Sequence, residues 1–398
     1  MEKRPSEGTI IFLVGAVQFI NILDFMMVMP LGPDFSAALG IPLSHLGYIG
    51  GAYTAAASIS GLAGVFFLDA FDRRQALAVA MGGLVLGTLA GAAATGFATL
   101  LAARVVAGMF GGPATSLAFS IISDVIPPER RGKAMGAVMG AFAAASVLGV
   151  PAGLELAARG GWRLPFLAVG TLGAIITTLV RASLPSLRMH LDNRMEPRPL
   201  RELLRGQVAL SLSLTSLVMM STFVLVPNIS GYVLGNLHYP RRHLALLYFF
   251  GGIVSFFATR IAGGLNDKLS ATQVGGLGVA LNVIVVYTGF AIEPPMVPVA
   301  ATFMFFMLSM SFRNVSYNTL TSKVPRLQER ARFQSVQSAV QHMSAAVGAF
   351  LSARILSEGP NDTLRGMGIV AWVSIGLSLA IPLALFAVDR SVRAKGAA

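Results

Sequence analysis

Residues 10–32 read IIFLVGAVQFINILDFMMVMPLG, a run with a single charged residue, Asp24, near its middle. About 20 apolar residues rising 1.5 Å each match a hydrocarbon layer of ~30 Å, so the run is long enough to cross a bilayer as one helix. A carboxylate at that depth costs roughly 2.5–3.5 kcal/mol on insertion scales, which makes it a candidate for work rather than decoration. The short basic start MEKRPSEGT is followed by too long an apolar run for a signal segment, and it has no small-residue cleavage site. The run is therefore expected to be retained as a helix.

The rest of the chain extends that reading. Of 398 residues, 55% are hydrophobic and only 12% charged, about half the charge of a soluble domain. Forty-three Gly and twenty Pro sit within apolar segments, where membrane helices tolerate them. There is no Cys, which excludes disulfides, thiolate chemistry and Cys-based metal sites. Twelve spans are expected, at about 9–33, 45–68, 76–95, 99–122, 134–157, 164–184, 207–229, 243–263, 273–292, 298–321, 334–355 and 366–388.

The net charge of +12 fits topology better than nucleic acid. Of 30 Lys and Arg, 21 fall in the inter-span segments on the side of the N-terminus and 5 on the other, which places both termini in the cytoplasm. The longest polar stretch, residues 185–207, lies at the midpoint and reads as a cytoplasmic linker, with a short surface helix at PLRELLRG. The expected organisation is an N-terminal bundle over 1–184, a linker over 185–206 and a C-terminal bundle over 207–398.

The halves echo each other. GVFFLDAFDRR carries Asp69 and IAGGLNDKL carries Asp267, 198 residues later; ERRGK carries Glu129 and Arg130, and ERARF carries Glu329 and Arg330, 200 residues later. Two pairs at nearly the same offset indicate parallel repeats related by an axis along the membrane normal.

At these residues the chain resembles the major facilitator superfamily. Asp69-Ala70-Phe71-Asp72-Arg73-Arg74 is similar to that family's loop motif D-R-x-G-R-R, with Ala70 in place of a basic residue and Asp72 in place of a glycine. Arg104 through Gly108 resembles the fourth-helix motif R-x-x-x-G. Gly149-Val150-Pro151-Ala152-Gly153 resembles the fifth-helix antiporter motif, in the G-x-P-x-G form of sugar and drug exporters. Gly161-Trp162-Arg163 and Phe166 fit that branch, as does the acid-bearing first helix from Leu23 to Pro30. The resemblance implies an all-α integral membrane fold of twelve helices in two pseudo-symmetric six-helix bundles. It also implies secondary active transport by alternating access, as proton-coupled export of a small organic solute or drug. Two alternatives stay open: an uncoupled carrier of an anionic or zwitterionic metabolite, sugar or lipid, and a non-transporting receptor or assembly factor on the same fold.

Individual residues acquire roles in that frame. A buried carboxyl can take up a proton on one side of a membrane and release it on the other, so Asp24 is the candidate proton carrier. Gln18 and Asn21 precede it at three-residue steps and extend a polar strip. Arg104 either snorkels to the headgroups or pairs with Asp24 or Glu155, and the resemblance favours a part in coupling. Arg313 lies near mid-membrane with no acid in the interior of its half, so it should face water, Asp24 or an anionic solute.

Tyr317 is one turn further on. Gln334, Gln337, Ser338, Gln341 and His342 share one face of the eleventh span and are expected to line a cavity. Asn228, Asn282 and Asn318 are further buried polar candidates. The substrate set is thus Arg313, Tyr317, Gln18, Asn21, Gln337, Gln341, His342 and Asn228.

Asp69, Arg73, Arg74, Asp267, Glu129, Arg130, Glu329 and Arg330 form a conformational latch at the cytoplasmic helix ends. Gly149, Pro151 and Gly153 let the fifth span pack closely and bend. No Walker loop, metal cluster or nucleophile–base pairing stands out, so the chain is read as neither an enzyme nor ATP-driven, with no cofactor and no metal. The partners expected are a small-molecule substrate, protons and the lipid bilayer, not nucleic acid. The chain is expected to work as a monomer in a bacterial inner membrane.

Overall fold

The computed structural model describes residues 6–188, 204–326 and 330–396. The expected surface helix at PLRELLRG falls mostly outside them. Helices dominate. In chain order they are α1 (Glu7–Val28), α2 (Gly32–Leu39), α3 (Leu46–Phe67), α4 (Arg73–Ala92), α5 (Phe97–Val125), α6 (Pro128–Ala144), α7 (Val150–Gly160) and α8 (Arg163–Ser183). The series continues with α9 (Gly206–Phe223), α10 (Ile229–Gly235), α11 (Leu244–Lys268), α12 (Ala271–Val286), α13 (Val299–Thr321), α14 (Arg330–Ile355) and α15 (Met367–Gly396). One two-stranded antiparallel hairpin, β1 (Ser357–Glu358) with β2 (Leu364–Arg365), follows α14.

Ten helical stretches among the described residues are long and apolar enough to cross a membrane. Two more helices, α3 and α14, occupy the places of the second and eleventh expected spans. Large apolar side chains such as Phe12, Leu86, Phe257 and Leu383 are more than half exposed. A soluble monomer does not present apolar surface on that scale, whereas lipid covers it at no cost.

Helix starts follow local chemistry. Ser6 caps α1, its hydroxyl accepting from Thr9 N. Asp72 caps α4, accepting from Arg74 N and Gln75 N. Ser270 and Gln273 cap α12 reciprocally.

The chain divides into two compact units: Met1–Ile41 with Ala52–Glu196, and Pro42–Gly51 with Pro197–Ala398. In the first unit, α4 packs on α5 and α8, while α1 packs on α5, α6 and α8. In the second, α12 packs on α13 and α15, while α9 packs on α14 and α15. The internal duplication read from the loops is therefore repeated in helix neighbours. One boundary differs from the sequence division: Pro42–Gly51 groups with the second unit, where Leu43 N donates to Glu358 Oε1 at 2.9 Å.

Two close approaches shape the first unit around its charged centre. A Cβ on Gly108 of α5 would stand 2.2 Å from the backbone oxygen of Tyr53 on α3, so only glycine fits there. A Cβ on Gly149 would meet the Leu23 side chain at 2.7 Å, beside Asp24. Gly149 closes a π-helical turn, Ala145–Gly149, that joins α6 to α7. Pro151 follows at the start of α7; it lacks the N–H a continuous helix would use, and the widened turn absorbs the mismatch. Gly153 is less crowded, 3.8 Å from Met27 Cβ.

Candidate functional site

Asp24 and Arg104 form a salt bridge inside the first unit. Both side chains are sealed, at 0% and 1% exposure. The contact is two-pronged: Arg104 Nη2 donates to Asp24 Oδ2, and Nη1 donates to Oδ1 at 3.1 Å. Thr88 on α4 places its hydroxyl 2.7 Å from Oδ1 and 2.8 Å from Leu84 O, so its one proton is shared between the two acceptors. The carboxylate thus takes three donors, which is what an ionised acid needs in a dry setting. The guanidinium lies 4.9 Å from the centroid of the Tyr53 ring and 6.0 Å from that of Phe166, so aromatic faces complete its shell.

Arg104 therefore does not snorkel, and its partner is Asp24 rather than Glu155. Glu155 pairs with Arg159 on the exposed face of α7. Tyr53 ties this pair to the polar strip: its hydroxyl donates to Asn21 Oδ1 at 2.7 Å, and Asn21 Nδ2 donates to Gly111 O at 2.9 Å and Thr115 Oγ1 at 2.7 Å. Gln18 is buried, and its Oε1 has no partner among the described residues.

In the second unit Arg313 is 1% exposed. Its Nη1 donates to Asn282 Oδ1 at 2.9 Å and Ser378 Oγ at 3.1 Å, with Ser221 Oγ at 3.4 Å; Nη2 donates to Thr222 Oγ1 at 2.6 Å. The expected partner Asp24 is already held by Arg104, and every oxygen around Arg313 is neutral. The expectation that Arg313 faces water or Asp24 is corrected here: Arg313, like Asp24, is enclosed by side chains of its own unit, because hydroxyls and an amide, or for Asp24 a counter-ion, supply the polar shell that solvent would otherwise give.

The remaining substrate candidates fall into separate groups. Tyr317 is buried and accepts from Gln341 Nε2 at 2.7 Å. Gln337 is buried and donates to Thr321 Oγ1 at 3.0 Å. Asn228 is buried and donates to Ser352 Oγ at 2.9 Å. His342 is half-buried, whereas Gln334 at the start of α14 is exposed, so the polar face of that helix is not uniformly internal. Asn318 is also exposed, with its amide on Asn314 O, and is not the buried group the sequence suggests.

The cytoplasmic cluster is organised by a residue the sequence marks only as a departure. Asp72 is 4% exposed. It accepts from Ser186 Oγ, Leu187 N, Arg74 N and Arg188 Nε. Arg73 N donates to Leu187 O at 3.2 Å, Arg73 Nε reaches Asp124 at 3.2 Å, and Arg74 Nη1 donates to Leu184 O at 3.2 Å. The chain after α8 is thereby pinned to the start of α4. Arg130 pairs with Glu7, and Glu129 and Asp267 are exposed. The Asp69 and Arg330 side chains, and Glu329, lie outside the described residues.

Burial alone raises the Asp72 pKa, but the bonds from Ser186, Leu187, Arg74 and Arg188 outweigh it and hold the carboxyl below its ordinary value. A depressed carboxyl contributes stability above its unfolded pKa and loses it as pH falls through the folded one. The charge facing it is Arg188, since the Arg74 guanidinium lies on Leu184 O and Arg73 is turned to Asp124. Asp72→Asn is expected to speed hydrogen exchange of the Leu187 amide roughly tenfold, the scale of one charge-assisted bond. In the native chain, corrected for intrinsic rate, the same amide should lose protection only on acidification. Equal protection in both proteins at neutral pH would refute the clamp.

Sequence reasoning missed Thr88, Tyr53, Thr115, Ser221, Thr222 and Ser378. The one available signal was Tyr53, which lies in a run of small residues, GGAYTAAAS, where a large side chain must have a purpose.

Comparison with known proteins adds an independent line. A family model described as Major Facilitator Superfamily matches residues 14–349. The chain is 26% identical over 383 residues to the chloramphenicol resistance protein of Streptomyces lividans, covering 93% of each. It is 26% identical over 291 residues to the purine ribonucleoside efflux pump NepI of Escherichia coli (strain K12), covering 70% of each. Among solved structures it resembles a D-xylose-proton symporter, with TM-score 0.76 and 17% identity over 95% of this chain and 97% of that one. It also resembles a bacterial homologue of the human lysosomal transporter Spinster, with TM-score 0.75 and 16% identity over 98% of both chains. At those identities the structures speak for the fold alone.

Proposed function

The chain belongs to the Major Facilitator Superfamily, and from that premise we propose that it exports a small organic solute or drug in exchange for protons. It is a multi-pass membrane transporter, not an enzyme. The proposed architecture is twelve spans in two six-helix bundles, working as a monomer in a bacterial inner membrane with both termini cytoplasmic. The name of the purine ribonucleoside efflux pump supports the direction of flux.

The observation that carries coupling is the sealed Asp24–Arg104 pair with its Thr88 bond. An ion pair of this kind has two states. Ionised, it locks α1 to α5. Protonated, Asp24 releases the cation, and the arrangement of α1, α4 and α5 can change. A proton crossing with a 100 mV potential gains about 2.3 kcal/mol, enough to drive the cycle against a moderate solute gradient. Asn21, Tyr53 and Gln18 extend from this pair as candidate solute contacts. Arg313, Tyr317, Gln337, Gln341, His342 and Asn228 are the candidates in the second unit. Asp72, Arg73 and Arg74 are proposed to hold the cytoplasmic end in one state, and Gly149, Pro151 and Gly153 to let α6 and α7 adjust beside Asp24.

The test begins with a thermal-shift screen of purified protein against drugs, nucleosides, sugars and organic anions at two pH values, since a bound ligand stabilises by mass action. A hit is then followed into proteoliposomes. Flux should rise with an imposed pH gradient and lose the excess when an ionophore collapses it. Flux indifferent to the gradient would reject coupling. It would favour an uncoupled carrier of an anionic or zwitterionic solute, the reading that the neutral shell of Arg313 supports.

A further inference from the structure

The second unit rebuilds the cation cage of the first and omits its acid. In each unit an arginine from the helix that packs beside α4 or α12 gathers oxygens from neighbouring helices. Arg104 on α5 meets Asp24 on α1, which Thr88 on α4 supports. Arg313 on α13 meets Ser221 and Thr222 on α9, Asn282 on α12 and Ser378 on α15. Hydroxyls and an amide stand where the first unit has a carboxylate. The described acids of the second unit lie elsewhere: Asp267 and Glu293 are exposed, Glu358 accepts from Leu43 N, and Asp389 pairs with Arg393.

A guanidinium stays charged and carries five N–H donors. Buried without a counter-charge, it is the costly half of a broken ion pair, because neutral dipoles return only part of the lost hydration. One donor is also unused among the described residues: Arg313 Nε is buried with no partner, as is Nε of Arg104 in the first unit. Nε and the adjacent Nη form the edge of a guanidinium that grips a carboxylate with two parallel bonds. Thr222 Oγ1 at 2.6 Å accepts from Nη2, and a change of its χ1 rotamer would free that donor.

We propose that the Arg313 cage is a binding site for a monovalent anion, supplied either by the carboxylate of an organic-acid solute or by a free halide. The inference gives a charge class to the solute of the transport reading and rests on that reading for the solute arm alone. Asn282, Ser378, Ser221 and Thr222 position the guanidinium, and the anion supplies the charge this half of the chain lacks. Entry requires these side chains, all of one unit, to part.

The test reads binding rather than flux, so it fails or succeeds independently of transport. Purified protein in low-salt detergent buffer is titrated with sodium benzoate, with benzamide as the uncharged match, and with sodium chloride. Benzoate is expected to raise the unfolding midpoint saturably, by about 4 °C or more, with no effect of benzamide. A response to benzoate but not chloride assigns the site to a carboxylate solute, and an equal response to chloride assigns it to a halide. Asn282→Asp places a near-isosteric carboxylate 2.9 Å from Nη1 and should abolish the response while raising the anion-free midpoint. If that variant does not fold, Ser378→Asp offers the same neutralisation from 3.1 Å. No saturable shift in the native protein, or an equal shift in the neutralised variant, overturns the proposal.

Discussion

Asp24→Asn is expected to abolish pH-gradient-driven accumulation while leaving solute exchange intact. The substitution is nearly isosteric. The Asn oxygen can still accept from Thr88 Oγ1 and Arg104 Nη1, now 2.7 and 3.1 Å from Oδ1. What disappears is the negative charge and the ability to alternate between charged and neutral. The fold has a precedent for that arrangement, since Arg313 already lies against Asn282 at 2.9 Å. For each proton exchanged, a one-unit pH gradient is worth about 1.36 kcal/mol, or roughly tenfold accumulation. The variant should fall to about unity under the same gradient. Counterflow, which needs no net proton movement, should persist at a comparable rate. Measured in proteoliposomes side by side, full gradient-driven accumulation by Asp24→Asn would remove the proposed mechanism.

Arg104→Ala is expected to be the most destabilising single change near the centre of the first unit. It strips the buried carboxylate of its cation and leaves Thr88 as the one remaining bonded partner in the present structure. Breaking a buried pair by deleting one member costs about 3–5 kcal/mol, because the survivor is an uncompensated charge. The alanine also vacates space against the Tyr53 ring and gives up a cation–π contact worth roughly 0.5–2 kcal/mol. The informative control is the double variant Asp24→Asn, Arg104→Gln, which removes both charges and keeps hydrogen-bonding shape. Denaturant or thermal unfolding in detergent should show the double variant recovering most of the loss, a coupling well beyond additive. An Arg104→Ala protein within about 1 kcal/mol of the native chain would show that the pair does not organise the bundle.

The all-helical membrane fold and its long apolar helices were legible in the sequence because a strong and repetitive force sets them. Hydrocarbon thickness dictates run length, and lipid excludes charge from every run. Asp24, Arg104 and Arg313 stood out for the same reason: a charge in an apolar run is rare enough to see. Their partners were not legible. Thr88 is one hydroxyl in a helix, and such hydroxyls commonly bond back to the preceding turn, as this one also does to Leu84 O. Nothing in its spacing distinguishes it from Ser or Thr residues with no other role.

Partner choice was hidden too, since Arg104 had two acids within plausible reach and only packing decides between them. Gly108 settles it by drawing α5 onto α3, so that the Tyr53 ring covers the guanidinium. Asp72 was noticed as a departure from a loop pattern, yet its meaning lies in Ser186, Leu187 and Arg188, more than a hundred residues away. Long-range hydrogen bonding of that kind leaves no periodic trace.

The π-helical turn at Ala145–Gly149 carries a mechanical implication. A turn that holds one surplus residue has a loosened ladder, so it yields before the straight segments on either side. Its last residue rests on Leu23, the immediate neighbour of the acid. The weak point of that long helix is therefore also its fulcrum. Flexing there swings Val150–Gly160 against α1, where Leu23, Met26 and Met27 meet the turn and the start of α7 beside the charged centre.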